Sequence, residues 1–314
     1  MMGIRKIIAT VMLLAQAVAA HAQWDVQFSD FTTLRSFYNP AISGTDGLLN
    51  VAAAYSMQLA GYDHAPVTMY AGADLPIYVL SPRHGAGLSF MNDQIGIFKT
   101  QRMALQYAYN MKIGEKGRLA IGAQAAMMNE TIDPSNMVLT NESDPAFPSS
   151  STEGESVDFG AGIYYYHPRL WVALSSIHLT APTINMGEKY EISISRMYYF
   201  MAGGNIKLKN TLLSLHPAVM VQSDMQSWRE DIQCKLEYEY EGRKFYAGVG
   251  YSPNTSVTAM IGGNFHGIQL GYSYQMYTAG VGIQNGAHEL VFRYQTDLDL
   301  FKKGKNLHKS VRFL

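Results

Sequence analysis

RMALQYAYNM, residues 102–111, alternates large apolar side chains with small or polar ones. The same period of two recurs in DIQCKLEYEYE (231–241), IQLGYSYQMY (268–277) and HELVFRYQ (288–295). Successive side chains of an extended strand point to opposite faces, so each segment has one apolar face and one polar face. Segments of about ten residues fit tilted membrane-crossing strands, whereas strands of soluble sandwiches are usually nearer five or six residues. The pattern therefore predicts strands with one face toward lipid.

About fourteen such strands fit between residues 49 and 296, and inside a bilayer every backbone N–H and C=O must be paired, which requires closure. The predicted fold is an all-β, antiparallel transmembrane β-barrel of the outer membrane. An even strand number puts both chain ends on one side. Connections predicted on that periplasmic side are short, as at 209–210, 241–243 and 265–266. The opposite side receives the long connections 131–156, 179–196 and 277–286, of which the first is expected to be mobile and solvated.

The first 22 residues predict the compartment. Arg5 and Lys6 precede an apolar run, and Ala20-His21-Ala22 has the pattern of a signal-peptidase site, so cleavage is expected between Ala22 and Gln23. No cysteine follows to accept a lipid, and the single cysteine, Cys234, has no partner for an internal disulfide. Beyond Ala22 there is no apolar run of about 18 residues, so no transmembrane helix is predicted.

Two segments flank the predicted barrel, which spans 49–296. Residues 23–48 are expected to form an N-terminal segment, and residues 297–314 a basic tail, both outside the barrel and in the periplasm. The tail concentrates positive charge, which can attract an acidic partner. Its candidate docking residues are Lys302, Lys303, Lys305 and Lys309.

Other kinds of site find little support. The net charge of −1 and the scattered basic residues do not suggest a nucleic-acid surface. The nine histidines lack metal-ligand spacing, and no cofactor, metal site, catalytic residue or small-molecule substrate is predicted. A hydrolase with a Ser–His pair at the lipid face is a remaining alternative, with Ser89, Ser273 and His288 as candidates. No G-x-S-x-G motif supports it.

The charged face of 231–241 leaves a second alternative open. Lys235, Glu237, Glu239 and Glu241 fall on the face predicted to line the lumen, as in a porin-like diffusion or uptake channel. They equally fit a lumen that is plugged or filled by paired side chains. A barrel of about fourteen strands is wide enough for either arrangement. Cys234 falls on the lipid face, where burial keeps a thiol protonated and inert.

Several short motifs, in order along the chain, resemble one family. They are QWDVQFS (23–29), FYNPA (37–41) with Gly44, GAGLS (85–89), NDQIG (92–96), DFGAGIY (158–164), HEL (288–290) and the terminal Arg312-Phe313. The chain thereby resembles the PorP/SprF family of outer-membrane proteins of the type IX secretion and gliding machinery of Bacteroidetes. Trp24 and Val26 stand where that family more often has Asp and Pro, which leaves the subgroup open.

The resemblance implies a non-enzymatic component of the secretion apparatus that works by binding. Its implied partners are periplasmic ring and peptidoglycan-binding proteins, and its implied role is to support export of cargo to the cell surface. Because the subgroup is open, a paralogue that serves an adhesin remains an alternative to a general secretion component.

Overall fold

The computed structural model describes residues 25–62, 64–77, 83–136, 150–187, 190–210, 212–279 and 285–297. Almost all regular structure in this part is strand. The strands are β1 (Leu49–Met57), β2 (Val67–Pro76), β3 (His84–Ile95), β4 (Phe98–Ile113), β5 (Gly117–Ile132), β6 (Thr152–His167), β7 (Leu170–Ile177), β8 (Thr183–Met186), β9 (Tyr190–Ser193), β10 (Met197–Gly204), β11 (Ile206–Lys207), β12 (Leu213–Ser223), β13 (Trp228–Tyr240), β14 (Arg243–Ser252), β15 (Ser256–Phe265), β16 (Ile268–Tyr277) and β17 (Ala287–Thr296).

The strands close into one barrel. Neighbours in sequence pair antiparallel from β1 to β7 and from β12 to β17, and β10 joins β7 to β12. The ring is completed by β1 and β17, with Leu49 opposite Thr296. Short β11 extends the edge of β12, and β8 and β9 form a separate hairpin. The prediction of an antiparallel outer-membrane barrel of about fourteen strands is confirmed.

The two faces of the wall follow the predicted alternation. In β13, Ile232, Leu236 and Tyr238 are exposed on the outside, whereas Gln233 and Lys235 are buried on the inside. The outer surface is apolar because it meets hydrocarbon, and the inner surface is polar. Residues 49 and 296 lie at one end of the barrel, called here the lower rim. The opposite end is the upper rim.

The wall is tallest over β4, β5 and β6, each of which has 16 residues. Their upper ends include residues 131–132 and 152–156, which were predicted to belong to a mobile loop, so that prediction is wrong for these residues. The central part of that loop, 137–149, lies outside the described residues. Within the predicted loop 179–196, β8 and β9 pair with each other and pack on β5 and β6 through Met128, Ile132, Ile184 and Met186.

The N-terminal segment occupies the lumen. Residues 25–46 descend inside the barrel from the upper part to the lower rim, where the chain enters β1. They include a one-turn helix, α1 (Arg35–Tyr38), followed by a 3-10 turn at Pro40–Ile42. No helix in the described ranges is long and apolar enough to cross a membrane. The prediction that this segment lies outside the barrel is therefore wrong for residues 25–46. We call residues 25–46 the plug.

Candidate functional site

An aromatic core fixes the plug in the lumen. Phe28, Phe37 and Tyr38 are buried, and the Phe37 ring lies 5.2 Å from Phe28 and 4.9 Å from Tyr38, edge to face. The same cluster takes in Tyr70 of β2, 5.2 Å from Phe37, and Tyr199 of β10, 5.3 Å from Tyr38. Edge-to-face pairs at this spacing stabilise a core beyond the apolar area that they bury. The plug is therefore packed against strands on different sides of the barrel.

Small residues let the plug approach the wall closely. A Cβ added at Gly122 of β5 would lie only 2.5 Å from the Cα and N of Ala41. Since that distance is far below van der Waals contact, no larger residue fits at 122 without moving the plug. Asn39 fixes the neighbouring position, because its side-chain amide donates to the carbonyl oxygens of Ile163 (3.1 Å) and Leu174 (3.0 Å).

The lower part of the plug is tied to the wall by neutral and charged hydrogen bonds. The Gly44 N–H donates to the Asp74 carboxylate at 2.8 Å, and the Tyr166 hydroxyl donates to the Thr45 carbonyl at 2.7 Å. The Arg35 guanidinium donates to the Tyr164 hydroxyl at 2.9 Å and stacks over Trp171, 4.9 Å from its ring centre. These contacts anchor the lower part of the plug to strands β2, β6 and β7.

Higher up, the plug meets buried charges. Lys235 Nζ of β13 lies 2.5 Å from the Asp30 carboxylate, and both side chains are buried. Glu289 of β17 accepts from the backbone N–H groups of Ser29 (2.7 Å) and Asp30 (2.9 Å). Burial alone raises the pKa of Asp30, but the charge and hydrogen bond of Lys235 outweigh it and lower the pKa below its usual value. Asp30 therefore remains ionised and paired.

A second charged group holds the upper end of the plug. His178, which follows β7, contacts Asp158 (2.9 Å) through Nδ1 and Asp25 (3.5 Å) through Nε2. Asp25 also accepts from the Tyr199 hydroxyl at 2.9 Å. Burial lowers the pKa of His178, but its two carboxylate partners prevail and raise it to about 9. Burial likewise opposes ionisation of Asp25, yet His178 brings the pKa of that carboxyl down to about 2.

A small polar cavity remains between the plug and the wall near the upper rim. Its volume is about 100 Å³, enough for a few waters. Gln27 and Ser29 of the plug line it, together with Arg229, Gln233 and Gln275 of the wall. Gln27 and Gln233 each keep one buried side-chain oxygen without a partner in the described chain.

The structure separates the residues considered for hydrolysis. Ser89 and Ser273 are buried on the lumen side, whereas His288 is on the outer face and bonds the Tyr272 hydroxyl at 2.7 Å. A Ser–His pair of these residues is therefore not formed. Cys234 is half-buried on the outer side of β13.

The predicted cleavage site and the predicted docking residues are not located by the structure. Ala22, Gln23, Lys302, Lys303, Lys305 and Lys309 lie outside the described residues.

The functional residues that the sequence interpretation missed are those of the plug. Phe28, Phe31, Leu34 and Phe37 recur every three residues in a segment without strand alternation, and all four are buried. That spacing in a polar exported segment was the available signal that the segment packs against something. It did not indicate the lumen as the place.

Solved structures with a similar fold are distant in sequence. A FadL homologue from Pseudomonas aeruginosa matches with a TM-score of 0.50 and 13% identity, over 83% of this chain and 92% of that one. A mutant of TodX, a monoaromatic hydrocarbon channel, matches with a TM-score of 0.49 and 8% identity, over 83% and 93% of the two chains. At 13% identity, the similarity to the FadL homologue shows the barrel fold alone. No curated protein matches the chain.

A match to a protein family says more about this chain than the distant solved structures do. The sequence model for the type IX secretion system membrane protein PorP/SprF matches residues 20–294, which include the plug and nearly the whole barrel. The chain therefore belongs to the PorP/SprF family of type IX secretion system membrane proteins.

Proposed function

We propose that this outer-membrane barrel supports type IX protein secretion by docking other components of the apparatus, and that its own lumen is not the export path. The observation that carries the proposal is the plug, which fills the lumen and is anchored to strands around the ring. Family and fold are those of a secretion or channel membrane barrel, not of a known enzyme class. A barrel filled by its own chain is suited to presenting surfaces rather than to passing solutes.

In this proposal the lower rim faces the periplasm. The short turns and both ends of the barrel then lie there, and the long connections face outward, as in other single-chain barrels. A signal peptide of residues 1–22 delivers the chain and is removed between Ala22 and Gln23. The proposed partners are periplasmic ring and peptidoglycan-binding proteins. The tail lysines 302, 303, 305 and 309 form one proposed attachment point. Docking of these partners supports export of cargo proteins to the cell surface.

Topology is tested by epitope insertion. An epitope after Ser149 should be labelled on intact cells, and one after Asn210 only after permeabilisation. The reverse labelling would exclude the orientation.

A porin-like channel is the second candidate, favoured by the polar cavity beside the plug. Planar-bilayer recordings separate the two candidates. The docking proposal expects no steady conductance from the intact chain and clear openings from a variant that lacks residues 25–46. Steady conductance of the intact chain, with normal secretion in a deletion strain, would overturn the docking proposal.

The tail is tested separately. Replacement of the four tail lysines by glutamine should leave a folded, heat-modifiable barrel but lower secretion and partner recovery. Unchanged secretion and recovery at physiological salt would remove the tail from the proposal.

A further inference from the structure

The lower rim carries its charge unevenly. Three turns that are consecutive around the barrel connect β4 to β5, β6 to β7 and β10 to β12. They and the adjoining strand ends hold six exposed basic side chains and one acidic one, Glu115. The six are Lys112, Lys116, Arg118, Arg169, Lys207 and Lys209, which together we call the basic arc.

The charges of the basic arc are not neutralised by neighbours. In the described part of the chain, no ion pair involves any of the six. The next turn around the rim, between β13 and β14, is different, because Lys244 pairs there with Glu237 (2.9 Å) and Glu239 (3.4 Å). The segment 298–314 has five Lys or Arg residues and one acidic residue in sequence, so its net charge has the same sign as the arc. The arc is thus a concentrated positive surface.

The strand register turns half of the arc away from lipid. Lys112 shares its face of β4 with buried Gln106 and Ala108, and Lys207 is paired with Ser214 on the inner face of β12. Arg118 lies over the ring of Tyr166, 5.7 Å from its centre, on the lumen side. The outer face at this rim carries Ile113, Leu170 and Ile206 instead, which are about half exposed. Lipid headgroups therefore meet these apolar neighbours, and Lys112, Arg118 and Lys207 lie on the face of the wall that is turned toward the lumen.

Side chains of the plug and the wall stack behind part of the basic arc. Arg35 of the plug lies against Trp171 and Tyr164, next to Tyr166, which Arg118 covers. Lys112, Arg118 and Lys207 stand on strands, so little backbone freedom is lost when a partner binds them. Complementary charge across such a surface speeds association and selects partners of opposite sign.

We propose that the basic arc is a docking surface for an acidic protein segment in the periplasm. The inference rests on the proposed function and names the chemistry of one of its partners. The anionic headgroup of a phospholipid is the competing ligand, which the register of Lys112, Arg118 and Lys207 disfavours.

The test uses the full chain in nanodiscs of zwitterionic phosphatidylcholine, with a fluorescent oligoglutamate peptide as the probe. The variant carries Lys116→Gln, Arg169→Gln and Lys209→Gln, one in each turn. A matched control carries Lys99→Gln, Arg196→Gln and Arg243→Gln, which remove the same net charge from other places. Both must show heat-modifiable migration like the parent chain.

The arc variant should bind oligoglutamate at least about tenfold more weakly, and its binding should depend less on salt, because exposed charge interactions are screened by ions. The control should stay within about twofold of the parent. Equally weakened peptide binding in both variants would mean that binding responds to net charge alone, and would overturn the proposal that the arc is a docking surface. If less phosphatidylglycerol co-purified with the arc variant than with the parent chain, while peptide binding stayed intact, the arc would be a lipid-binding surface. That result would overturn the proposal of an acidic protein partner.

Secretion in cells separates this inference from the proposed function. We expect reduced cargo export from the arc variant and normal export from the control. Normal export from the arc variant, with none from a deletion strain, would reject the arc as a secretion surface and keep the function. Normal export from the deletion strain would reject the function, while the peptide measurement would still decide whether the arc binds acidic chains.

Discussion

The inner and outer faces of this barrel wall meet opposite environments, although alternate residues of the same strands form them. Outside, Leu105 and Val249 are each 65% exposed to the surroundings. Inside, Glu289 and Asp158 are at most 1% exposed. Large apolar groups are stable outside because they meet hydrocarbon. Charged groups are stable inside because each has a buried partner, which is the plug for Glu289 and His178 for Asp158.

Part of the polar inner face is therefore buried by contact with the plug, as Glu289 and Lys235 show. A buried carboxylate costs several kcal/mol unless it is paired and hydrogen-bonded, so the inner face depends on residues 25–46 for its stability. The outer face depends on the bilayer alone. Substitutions on the two faces should therefore destabilise the barrel for different reasons.

The largest effect is expected in the plug core. Phe37→Ala removes a buried ring that contacts Phe28, Tyr38 and Tyr70, and should lower the free energy of unfolding by about 4 kcal/mol. Phe265→Ala on the outer face, where the ring is 41% exposed, should cost much less. Urea unfolding in lipid vesicles measures both. Equal losses would mean that the plug contributes no more than the lipid contacts do.

The next effect concerns the buried ion pair. Lys235→Met leaves the Asp30 carboxylate buried without its cation, and should destabilise the chain by about 3 kcal/mol. Lys244→Met is the matched control, since its pair with Glu237 is partly exposed and should be worth about 1 kcal/mol or less. Adding Asp30→Leu to Lys235→Met should restore part of the loss. A double variant less stable than Lys235→Met would contradict the pairing argument.

The third prediction tests the outer face of the same strand. Leu236→Arg places a charge toward lipid below the middle of β13 and should cost about 2 kcal/mol, with poorer assembly. Glu237→Gln, on the inner face next to it, should be tolerated because polar partners remain. Indistinguishable assembly of the two variants would mean that the assigned register is wrong.

The smallest effect is a pH dependence at the upper end of the plug. The pKa of His178 is raised from 6.5 to about 9, so its contribution is complete below 6.5 and is lost as pH rises toward 9. The pKa of Asp25 is lowered from 3.8 to about 2, so its contribution is complete above 3.8 and is lost as pH falls toward 2. Stability from this contact should therefore be greatest between about 4 and 6.5.

His178→Asn should flatten the alkaline side of that profile and also weaken the acid side, because the low pKa of Asp25 depends largely on His178. Protease accessibility of the plug, measured across the pH range, reports the change. A parent-like alkaline slope in His178→Asn would show that another group titrates there.

Local patterning accounts for how well the wall was predicted. In 102–111 and 231–241, one strand face meets lipid and the other meets the polar lumen. Alternation of apolar and polar residues with a period of two therefore predicts the two faces directly. The charges inside the lumen were harder to interpret. Lys235 was placed on the lumen face correctly, but its partner Asp30 is 205 positions away, and no periodicity connects them.

The barrel, its strand positions, the faces of its strands and the family can be predicted from the sequence, because they depend on local alternation and short motifs. The tertiary structure, in contrast, places residues 25–46 inside the lumen, packs the β8–β9 hairpin on the tall strands β5 and β6, and brings the basic side chains of three turns together along one arc. Each of these depends on contacts between distant segments. A closed ring brings such segments together through its geometry, which no single stretch of the chain encodes.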